Sequence, residues 1–416
     1  MTAAIPPVAK PAHIPDSAVV EFDIYLDQEL LHDPHQKVEK MLREYPPVFW
    51  TPHNFGHWVV LSHDAVFSAS QNTQRFSSEI MTSEMMSVLE SMQPPGSGRL
   101  IQTIPINVDP PAHTKLRSPL LKPFSPKAVA ERKLEITQLA EQLIAAVVDK
   151  GQCEFISAIA EPLPVTIFMK MMGLPLERLS EFREIVHKFL APGMNDPMEV
   201  FARQRMVANA MAEVIQARRF KPEDDLISLL WSATIDGQPM TLELMEDYCT
   251  LLFIAGLDTV INGIGYGIKH LAGNQPLQCQ LRAQPELIPD AVEELLRRYT
   301  FTIPMRRVTE ACELGGQQLQ AGDLLCLYLP AADLDPKAFN NPAEFQLKRK
   351  ESGHIAFGVG PHRCLGSHLA RLELTLVYQA VLQQLPSFAL DPNQPVTYRG
   401  GNILAIESLP LVWQSP

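Results

Sequence analysis

The segment from Thr241 to Leu271 constrains the fold more than any other part of this sequence. Its apolar residues recur at helical spacing, and a continuous helix of this length would extend about 45 Å at ~1.5 Å per residue. The stretch from Tyr248 to Ile268 is long and apolar enough to cross a membrane. However, Asp258 at mid-length is costly in lipid, and no Lys or Arg flanks the N-terminal side. The sequence therefore favours a helix buried in the core of a large domain.

Helical periodicity dominates the rest of the chain as well. Amphipathic patterns predict helices over 128–148, 197–219, 286–299 and 366–385. Strand-like runs are short and few, namely His57–Ser62, Leu324–Leu329 and Ile403–Trp413. We predict a mainly α fold with small β-sheets. Residues 16–416 are expected to form a single domain, preceded by a flexible, proline-rich arm of residues 1–15.

Composition excludes several classes of function. The formal net charge of −12 argues against general binding to nucleic acids or anionic membranes, because phosphate contacts need an excess of Lys and Arg. The six cysteines are scattered without a CxxC pair, which fits neither a zinc site nor a disulfide scaffold. No segment has the pattern of a signal peptide. We expect a soluble, monomeric protein of the reducing cytoplasm.

The most informative local pattern is FGVGPHRCLG, from Phe357 to Gly366, followed directly by an amphipathic helix. A cysteine at a helix N-terminus lies where backbone N–H groups and the helix dipole stabilise a thiolate. Gly358 and Gly360 before Cys364, with Gly366 after it, indicate a tight loop that can approach a flat, bulky group. The alternative for an isolated cysteine is a buried structural residue beside a turn.

A second pattern, AGLDT, lies in the middle of the long helix. Ala255 and Gly256 leave room for a ligand against the helix, and Asp258 and Thr259 follow directly. A carboxylate in such apolar surroundings is costly unless it is paired or protonated. The Thr259 hydroxyl can bond back to the carbonyl of Ala255. The alternatives are an Asp paired with a basic side chain and a Thr with a merely local bond.

The cysteine segment resembles the haem-binding signature of the cytochrome P-450 family. Phe357, Gly360, His362, Cys364 and Gly366 match every fixed position of that signature. The resemblance implies haem b with Cys364 as the axial thiolate that favours O–O cleavage. By the same resemblance Phe357 packs beside the sulfur, Gly358 belongs to the haem loop, and His362 lies near a haem propionate.

Further motifs extend this resemblance over nearly the whole chain, towards the bacterial camphor-hydroxylase branch. AGLDT looks like the family's oxygen-activation motif, which implies that Asp258 and Thr259 relay protons through ordered water to dioxygen, the co-substrate. Glu294 and Arg297 match the family's buried Glu-x-x-Arg pair. The alternative is a surface pair stabilising its helix by ~0.2–0.5 kcal/mol.

Three further residues fit the haem propionates. His113 and Arg117 lie four residues apart on one predicted helix, and Arg306 follows the Glu-x-x-Arg helix by a short turn. Arginine suits carboxylates through bidentate hydrogen bonding. The alternative for each arginine is a solvated position on the surface.

The predicted substrate is a small to medium hydrophobic molecule such as a monoterpenoid or norisoprenoid. The tyrosine that binds camphor in the family is replaced by Ile101, which cannot donate a hydrogen bond to a ketone. The loop 81–100 before it is rich in Met, Ser and Gly and is expected to act as an adaptable lid. The other expected pocket residues are Leu251, Ile254, Ala255, Thr302, Ile303, Asn402 and Ile403.

A local excess of positive charge surrounds the cysteine segment. Residues 346–371 contain five cations and one acid, a local net charge of +4; the cations are Lys348, Arg349, Lys350, Arg363 and Arg371. We interpret Lys348, Arg349 and Arg363 as part of a docking face for an acidic [2Fe–2S] ferredoxin with an NADH-dependent reductase, as the resemblance implies. The alternative is ordinary charge scatter.

The predicted activity is that of a monooxygenase, which inserts one oxygen atom into a C–H bond. The competing class of protein is a haem carrier or sensor without turnover.

Overall fold

The computed structural model describes residues 6–93, 96, 98–190, 197–351 and 353–414. The fold is mainly α, as predicted, with about 52% of residues in helices. In the described ranges the α-helices are α1 Gln28–His32, α2 Pro34–Glu44, α3 His63–Gln71, α4 Ser83–Met92, α5 Ala112–Leu121, α6 Pro126–Ala130, α7 Lys133–Ala145, α8 Pro162–Met172, α9 Leu179–Leu190, α10 Pro197–Phe220, α11 Leu226–Ser232, α12 Leu242–Ala272, α13 Gln275–Ala283, α14 Ile288–Arg298, α15 Leu329–Ala332 and α16 Ser367–Gln384.

The strands are short, as expected, and form several small sheets. They are β1 Val48–Thr51, β2 His57–Val60, β3 Phe76–Ser77, β4 Gln152–Glu154, β5 Thr234–Ile235, β6 Gln238–Pro239, β7 Met305–Val308, β8 Cys312–Leu314, β9 Gln317–Leu319, β10 Leu324–Leu327, β11 Phe388–Leu390, β12 Thr397–Arg399, β13 Ala405–Ser408 and β14 Pro410–Trp413. The largest sheet has the order β1-β2-β10-β7-β3, and β10 pairs with β2 in parallel. The C-terminal hairpin β12–β13 approaches α12 near its middle.

Helix α12 crosses the domain core and positions the residues of interest. It begins after Thr241, whose hydroxyl accepts a hydrogen bond from the Leu244 N–H and caps the helix. It is long and apolar enough to cross a membrane, but 71% of its most apolar window is buried within the domain, which matches the predicted core helix. Tyr378 of α16 donates to the carbonyl of Gly263 at 2.7 Å. A Cβ on Gly267 would collide with the Tyr378 ring, so glycine permits this close helix crossing.

Two expectations about local structure were wrong. The helix predicted over 128–148 is divided into α6 and α7 by a turn at 131–132, and only Val129 of α6 is buried. Its apolar spacing continues across the junction, so periodicity alone does not reveal the break. The predicted loop 81–100 contains helix α4, which Thr82 caps by accepting from the Met85 N–H. Residues 94, 95 and 97 of that loop lie outside the described residues.

The N-terminal arm also makes contacts with the domain. Residues 1–5 lie outside the described residues. The Val8 N–H donates to the carbonyl of Pro52 at 2.9 Å, and Ile14 is fully buried. The described part of the arm therefore packs along the domain.

Candidate active site

The cysteine segment forms a closed loop that leads into α16. The Cys364 N–H donates to the carbonyl of Phe357 at 2.8 Å, and the Gly358 N–H donates to that of Ile355 at 2.7 Å. Gly358 and Gly360 have φ values of +67° and +74°. A Cβ on Gly360 would lie 2.6 Å from the carbonyl oxygen of Ser70, so both the backbone angle and the space require glycine there.

Cys364 lies three residues before Ser367, the first residue of α16, and two before the N-cap, Gly366. Its side chain is accessible. Although part of the side chain is accessible, the protein packed around it desolvates the Cys364 thiol and raises its pKa, and the Gly366 N–H with the nearby Arg117, Arg363 and Arg371 charges offset this only in part. The helix terminus is thus insufficient to ionise the sulfur, and a directly bound cation is the group that would do so.

Four basic side chains converge beside this loop. Helix α5 supplies His113 and Arg117, β7 supplies Arg306, and the loop supplies His362. The His113 and His362 ring centroids are 4.3 Å apart, and Arg117 donates to the carbonyl of Arg363. Both ring nitrogens of His113, Nε2 of His362 and Nε of Arg306 are buried without a hydrogen-bond partner. Buried polar atoms of this kind need partners, and carboxylates would provide them.

Burial changes the charge state of this group. It lowers the pKa of His113 to about 4, assisted by His362 and Arg117, so the imidazole is neutral at pH 7. Burial also lowers the pKa of Arg306, to about 10, so the guanidinium keeps its charge. The site therefore offers arginine charges together with neutral imidazole donors.

Glu294 and Arg297 form the buried pair that the sequence pattern predicted. Arg297 donates from Nε and Nη2 to the Glu294 carboxylate at 2.9 and 2.8 Å, and both side chains are almost fully buried. Arg297 Nη1 also donates to the carbonyl of Asp333 at 2.8 Å. Asp333 Oδ1 accepts from the Ile355 N–H at 2.7 Å, at the start of the cysteine loop. The pair is therefore linked to the loop through Asp333, a residue that sequence reasoning missed.

Arg349 does not belong to an exposed docking face, so its assignment there was wrong. Its Nε donates to Glu294 Oε1 at 3.0 Å, and its side chain is only 4% exposed. Arg371 donates to Glu293 at 2.6 and 2.9 Å and is partly neutralised. The sequence gives the correct number of cations around Cys364, but it does not show which of them are paired with carboxylates in the interior. Lys348, Lys350 and Arg363 are exposed.

The acid–alcohol pair lies in α12 as predicted. The Thr259 hydroxyl donates to the carbonyl of Ala255 at 3.1 Å. Asp258 is buried, and burial raises the pKa of its carboxyl more than Arg399 and Asn262 lower it. A carboxyl group with a raised pKa holds a proton more readily than a solvated aspartate.

Two partners of Asp258 were missed at the level of sequence. Asn262 Nδ2 donates to Asp258 Oδ1 at 3.1 Å, and its Oδ1 accepts from the Ile406 N–H. Arg399 Nη2 lies 3.5 Å from Asp258 Oδ2, and Arg399 Nε lies 3.2 Å from Glu407, which is half exposed. The spacing of Asn262, four residues after Asp258, was a usable signal. Nothing in the local sequence places Arg399, from β12, at the same carboxylate.

The structure places two pairs of the predicted pocket residues in contact. The Ile303 N–H donates to the carbonyl of Asn402 at 2.8 Å, and Thr302 and Ile403 form an isolated β-bridge. Ile303, Leu251 and Ile101 are buried; Ile254, Thr302 and Ile403 are half-buried; Ala255 and Asn402 are exposed. The Gln102 N–H, adjacent to Ile101, donates to Asp247 of α12 at 2.9 Å, which places Ile101 beside that helix one turn before Leu251.

Comparison with known proteins identifies the family. A family model for cytochrome P450 matches residues 155–409. The chain belongs to the cytochrome P450 family. It is 30% identical to probable cytochrome P450 127A1 of Sinorhizobium fredii over 97% of this chain and 96% of that protein. It is 31% identical to the steroid C26-monooxygenase of Mycolicibacterium smegmatis over 90% of this chain and 91% of that protein.

Solved P450 structures confirm the fold. CYP101C1 superposes with a TM-score of 0.87 at 32% identity, covering 98% of this chain and all of that one. CYP101J2 has a TM-score of 0.85 at the same identity and coverage. Both support the predicted relationship to the camphor-like bacterial branch. The protein is accordingly a P450 monooxygenase whose cofactor is cysteine-ligated haem b and whose co-substrate is dioxygen.

The residues of this chain fit that cofactor. Cys364 is an accessible thiol at the end of a glycine loop, the form of ligand that P450 iron requires. The unpartnered donors of His113, His362 and Arg306 match the two carboxylates of a haem. Phe357 is the first residue of the cysteine segment, and the Arg371 guanidinium lies 4.4 Å from its ring centroid.

Proposed function

We propose that this P450 hydroxylates a small to medium hydrophobic substrate, such as a monoterpenoid or norisoprenoid, in the cytoplasm as a monomer. The observation that carries the proposal is the apolar character of the expected pocket, where Ile101, Leu251, Ile254, Ile303 and Ile403 are all aliphatic. The stoichiometry is RH + O2 + NADH + H+ → ROH + H2O + NAD+. Electrons are supplied by a separate [2Fe–2S] ferredoxin and its NADH-dependent reductase.

In this proposal the chain's own residues bind the haem and control the protons. Cys364 supplies the thiolate, and Arg117, Arg306, His113 and His362 bind the propionates. The haem, when bound, supplies the redox chemistry that activates dioxygen. Asp258 holds a proton at its carboxyl, and Thr259 orients ordered water between that carboxyl and the pocket.

The electron donor is proposed to dock on the exposed cations near the cysteine loop. Lys348, Lys350 and Arg363 are exposed, and Arg363 is adjacent to Cys364. A positive face accelerates association with an acidic ferredoxin through long-range attraction, and this acceleration weakens with added salt. The proposed face is smaller than the sequence indicated, because Arg349 binds Glu294 in the interior.

A reconstituted assay tests the substrate class and the electron donor together. Purified protein is mixed with a [2Fe–2S] ferredoxin and its reductase, and NADH consumption and product are measured with limonene, β-ionone, camphor and a C27 steroid. We expect hydroxylated limonene or β-ionone, less camphor product, and slower reduction at high salt. Product from the steroid alone would instead favour the substrate named for the mycobacterial relatives. Ligand binding without product from any compound would favour the carrier alternative.

The proton relay predicts a specific defect in Thr259→Ala. We expect normal haem binding and continued NADH consumption, with most electrons released as hydrogen peroxide. Product per NADH should fall by about tenfold or more, since general acid catalysis contributes roughly 10²–10⁴-fold. Thr259→Ser retains the hydroxyl and is expected to keep most of the coupling. Equal product per NADH in Thr259→Ala and the unmodified enzyme would contradict the relay.

A further inference from the structure

Asp247, in the second turn of α12, binds two points of the segment that contains Ile101. Its Oδ1 accepts from Arg99 Nη1 at 2.7 Å and from the Gln102 N–H at 2.9 Å. Leu100 and Ile101 lie between these two donors and are only 3% and 2% exposed. One carboxylate oxygen thus fixes both ends of a two-residue apolar segment.

Arg99 is held by further contacts with two helices, α12 and α10. Its Nη2 lies 3.2 Å from Glu246 Oε2, and the same Glu246 oxygen lies 3.3 Å from Arg205 Nη1 of α10. Arg205 also donates to the main-chain carbonyl of Arg99. Of these two acids, Asp247 is the one that bonds to the backbone on the far side of Ile101, at Gln102. The two neighbouring acids therefore have different roles: Glu246 joins two arginines, whereas Asp247 encloses Ile101.

Asp247 lies on the same helix, α12, as the expected pocket residues Leu251 and Ala255. Asp247 and Leu251 are one turn apart on α12 and share a face, whereas Ala255 and Thr259 continue the series along a row that rotates by about 40° at each four-residue step. A segment bound at Asp247 therefore lies about one turn of α12 from Leu251, on the N-terminal side of the expected pocket residues of that helix. Burial raises the pKa of Asp247 to about 6 although Arg99 lowers it, so the carboxylate is ionised at neutral pH and can form charge-assisted bonds.

We propose that Asp247 is a positioning residue that fixes Ile101 against the substrate and so sets how the substrate is oriented. The inference rests on the proposed function, in which Ile101 lines the pocket. Loss of the Asp247 contacts would let the Leu100–Ile101 segment move while the haem site at the other end of the pocket remained intact. Misplacement of a positioning side chain by a small distance changes reactivity strongly.

The test compares two ligands of the haem iron, 4-phenylimidazole and imidazole, by the shift of the Soret band in the holoenzyme. The phenyl ring extends into the pocket, whereas imidazole remains at the iron. Asp247→Ala is expected to weaken 4-phenylimidazole binding by about fivefold to tenfold, because it removes two charge-assisted bonds. Imidazole binding should change by less than ~twofold, since the iron site is untouched. Asp247→Asn keeps the acceptor oxygen and should recover part of the affinity.

Glu246→Ala is the matched control, because it removes the neighbouring carboxylate and an Arg99 partner but leaves the Gln102 bond. It is expected to leave both affinities near those of the unmodified enzyme. Arg99→Gln removes one of the two Asp247 contacts and leaves the Gln102 bond, so it should weaken 4-phenylimidazole binding in the same direction but less than Asp247→Ala. Product ratios from β-ionone should change in Asp247→Ala and Arg99→Gln but not in Glu246→Ala.

Ile101→Ala separates this inference from the proposed function. If Ile101→Ala changes 4-phenylimidazole affinity but Asp247→Ala behaves like Glu246→Ala, the positioning role is wrong and the pocket assignment stands. If Ile101→Ala changes neither affinity nor product ratio, Ile101 does not line the pocket and both proposals fall. An equal loss of affinity for 4-phenylimidazole and imidazole in Asp247→Ala would indicate general damage to the haem site and would overturn the positioning role.

Discussion

Replacing Cys364 with serine is expected to abolish monooxygenase activity and the thiolate-type Soret band of the reduced, carbon monoxide-treated protein. The thiolate donates electron density that favours O–O cleavage, and a serine oxygen is a much poorer donor to iron. The loop should still close, because its hydrogen bonds use the backbone N–H groups of Gly358 and Cys364. We expect haem to be bound more weakly and product to fall to background in the ferredoxin-supported assay.

Cys279→Ser provides the control for this substitution. Cys279 is also accessible, and it lies in α13, outside the cysteine loop. Its replacement should leave the carbon monoxide difference spectrum and the product yield unchanged. A thiolate band that persisted in Cys364→Ser, or that vanished in Cys279→Ser, would show that the axial ligand had been assigned to the wrong residue.

The sequence predicted the long helices well, because their apolar periodicity is a local property. The pattern over 241–272 corresponds to α12, and those over 197–219 and 366–385 correspond to α10 and α16 within two residues. The break at 131–132 and the presence of α4 were not predicted. Helix α4 is short and has no buried residue, so it leaves a weak hydrophobic pattern, whereas the apolar spacing continues across residues 131–132 and conceals the break between α6 and α7.

Contacts in the site could be predicted where the two residues have a fixed spacing along the sequence. They could not be predicted where the two residues are far apart in the sequence. Glu294 and Arg297 lie three residues apart, which is a helical contact. Arg349, however, reaches Glu294 across 55 residues, and Arg399 approaches Asp258 from the C-terminal hairpin. No local pattern distinguishes such interior arginines from surface ones, so the charge count around Cys364 overstated the exposed positive face.

Glu294 binds a second arginine, Arg349, in addition to Arg297, and is therefore the centre of a buried network of charged side chains. Its Oε1 accepts from Arg297 Nη2, from Arg349 Nε and from the Gln346 N–H at 2.8, 3.0 and 3.0 Å. The Glu294, Arg297 and Arg349 side chains are each at most 4% exposed. Arg297 and Arg349 therefore share the Glu294 carboxylate in the interior, and Glu351 contributes from a less buried position, 4.0 Å from Arg349 Nη1.

Glu294→Gln is accordingly expected to lower the free energy of unfolding of the holoenzyme by roughly 3–5 kcal/mol, the usual cost of leaving buried charge without its partner. The adjacent Glu293→Gln is the matched comparison. Glu293 also pairs with an arginine, Arg371 at 2.6 Å, but its side chain is 43% exposed, so its loss should cost only about 0–1 kcal/mol. Urea denaturation followed by circular dichroism measures the free energy of unfolding of both variants.

The difference should also appear as faster haem loss in Glu294→Gln, because Arg297 connects the network to Asp333 and hence to the cysteine loop. Equal destabilisation by the two substitutions would mean that burial does not determine how much Glu294 contributes to the free energy of unfolding.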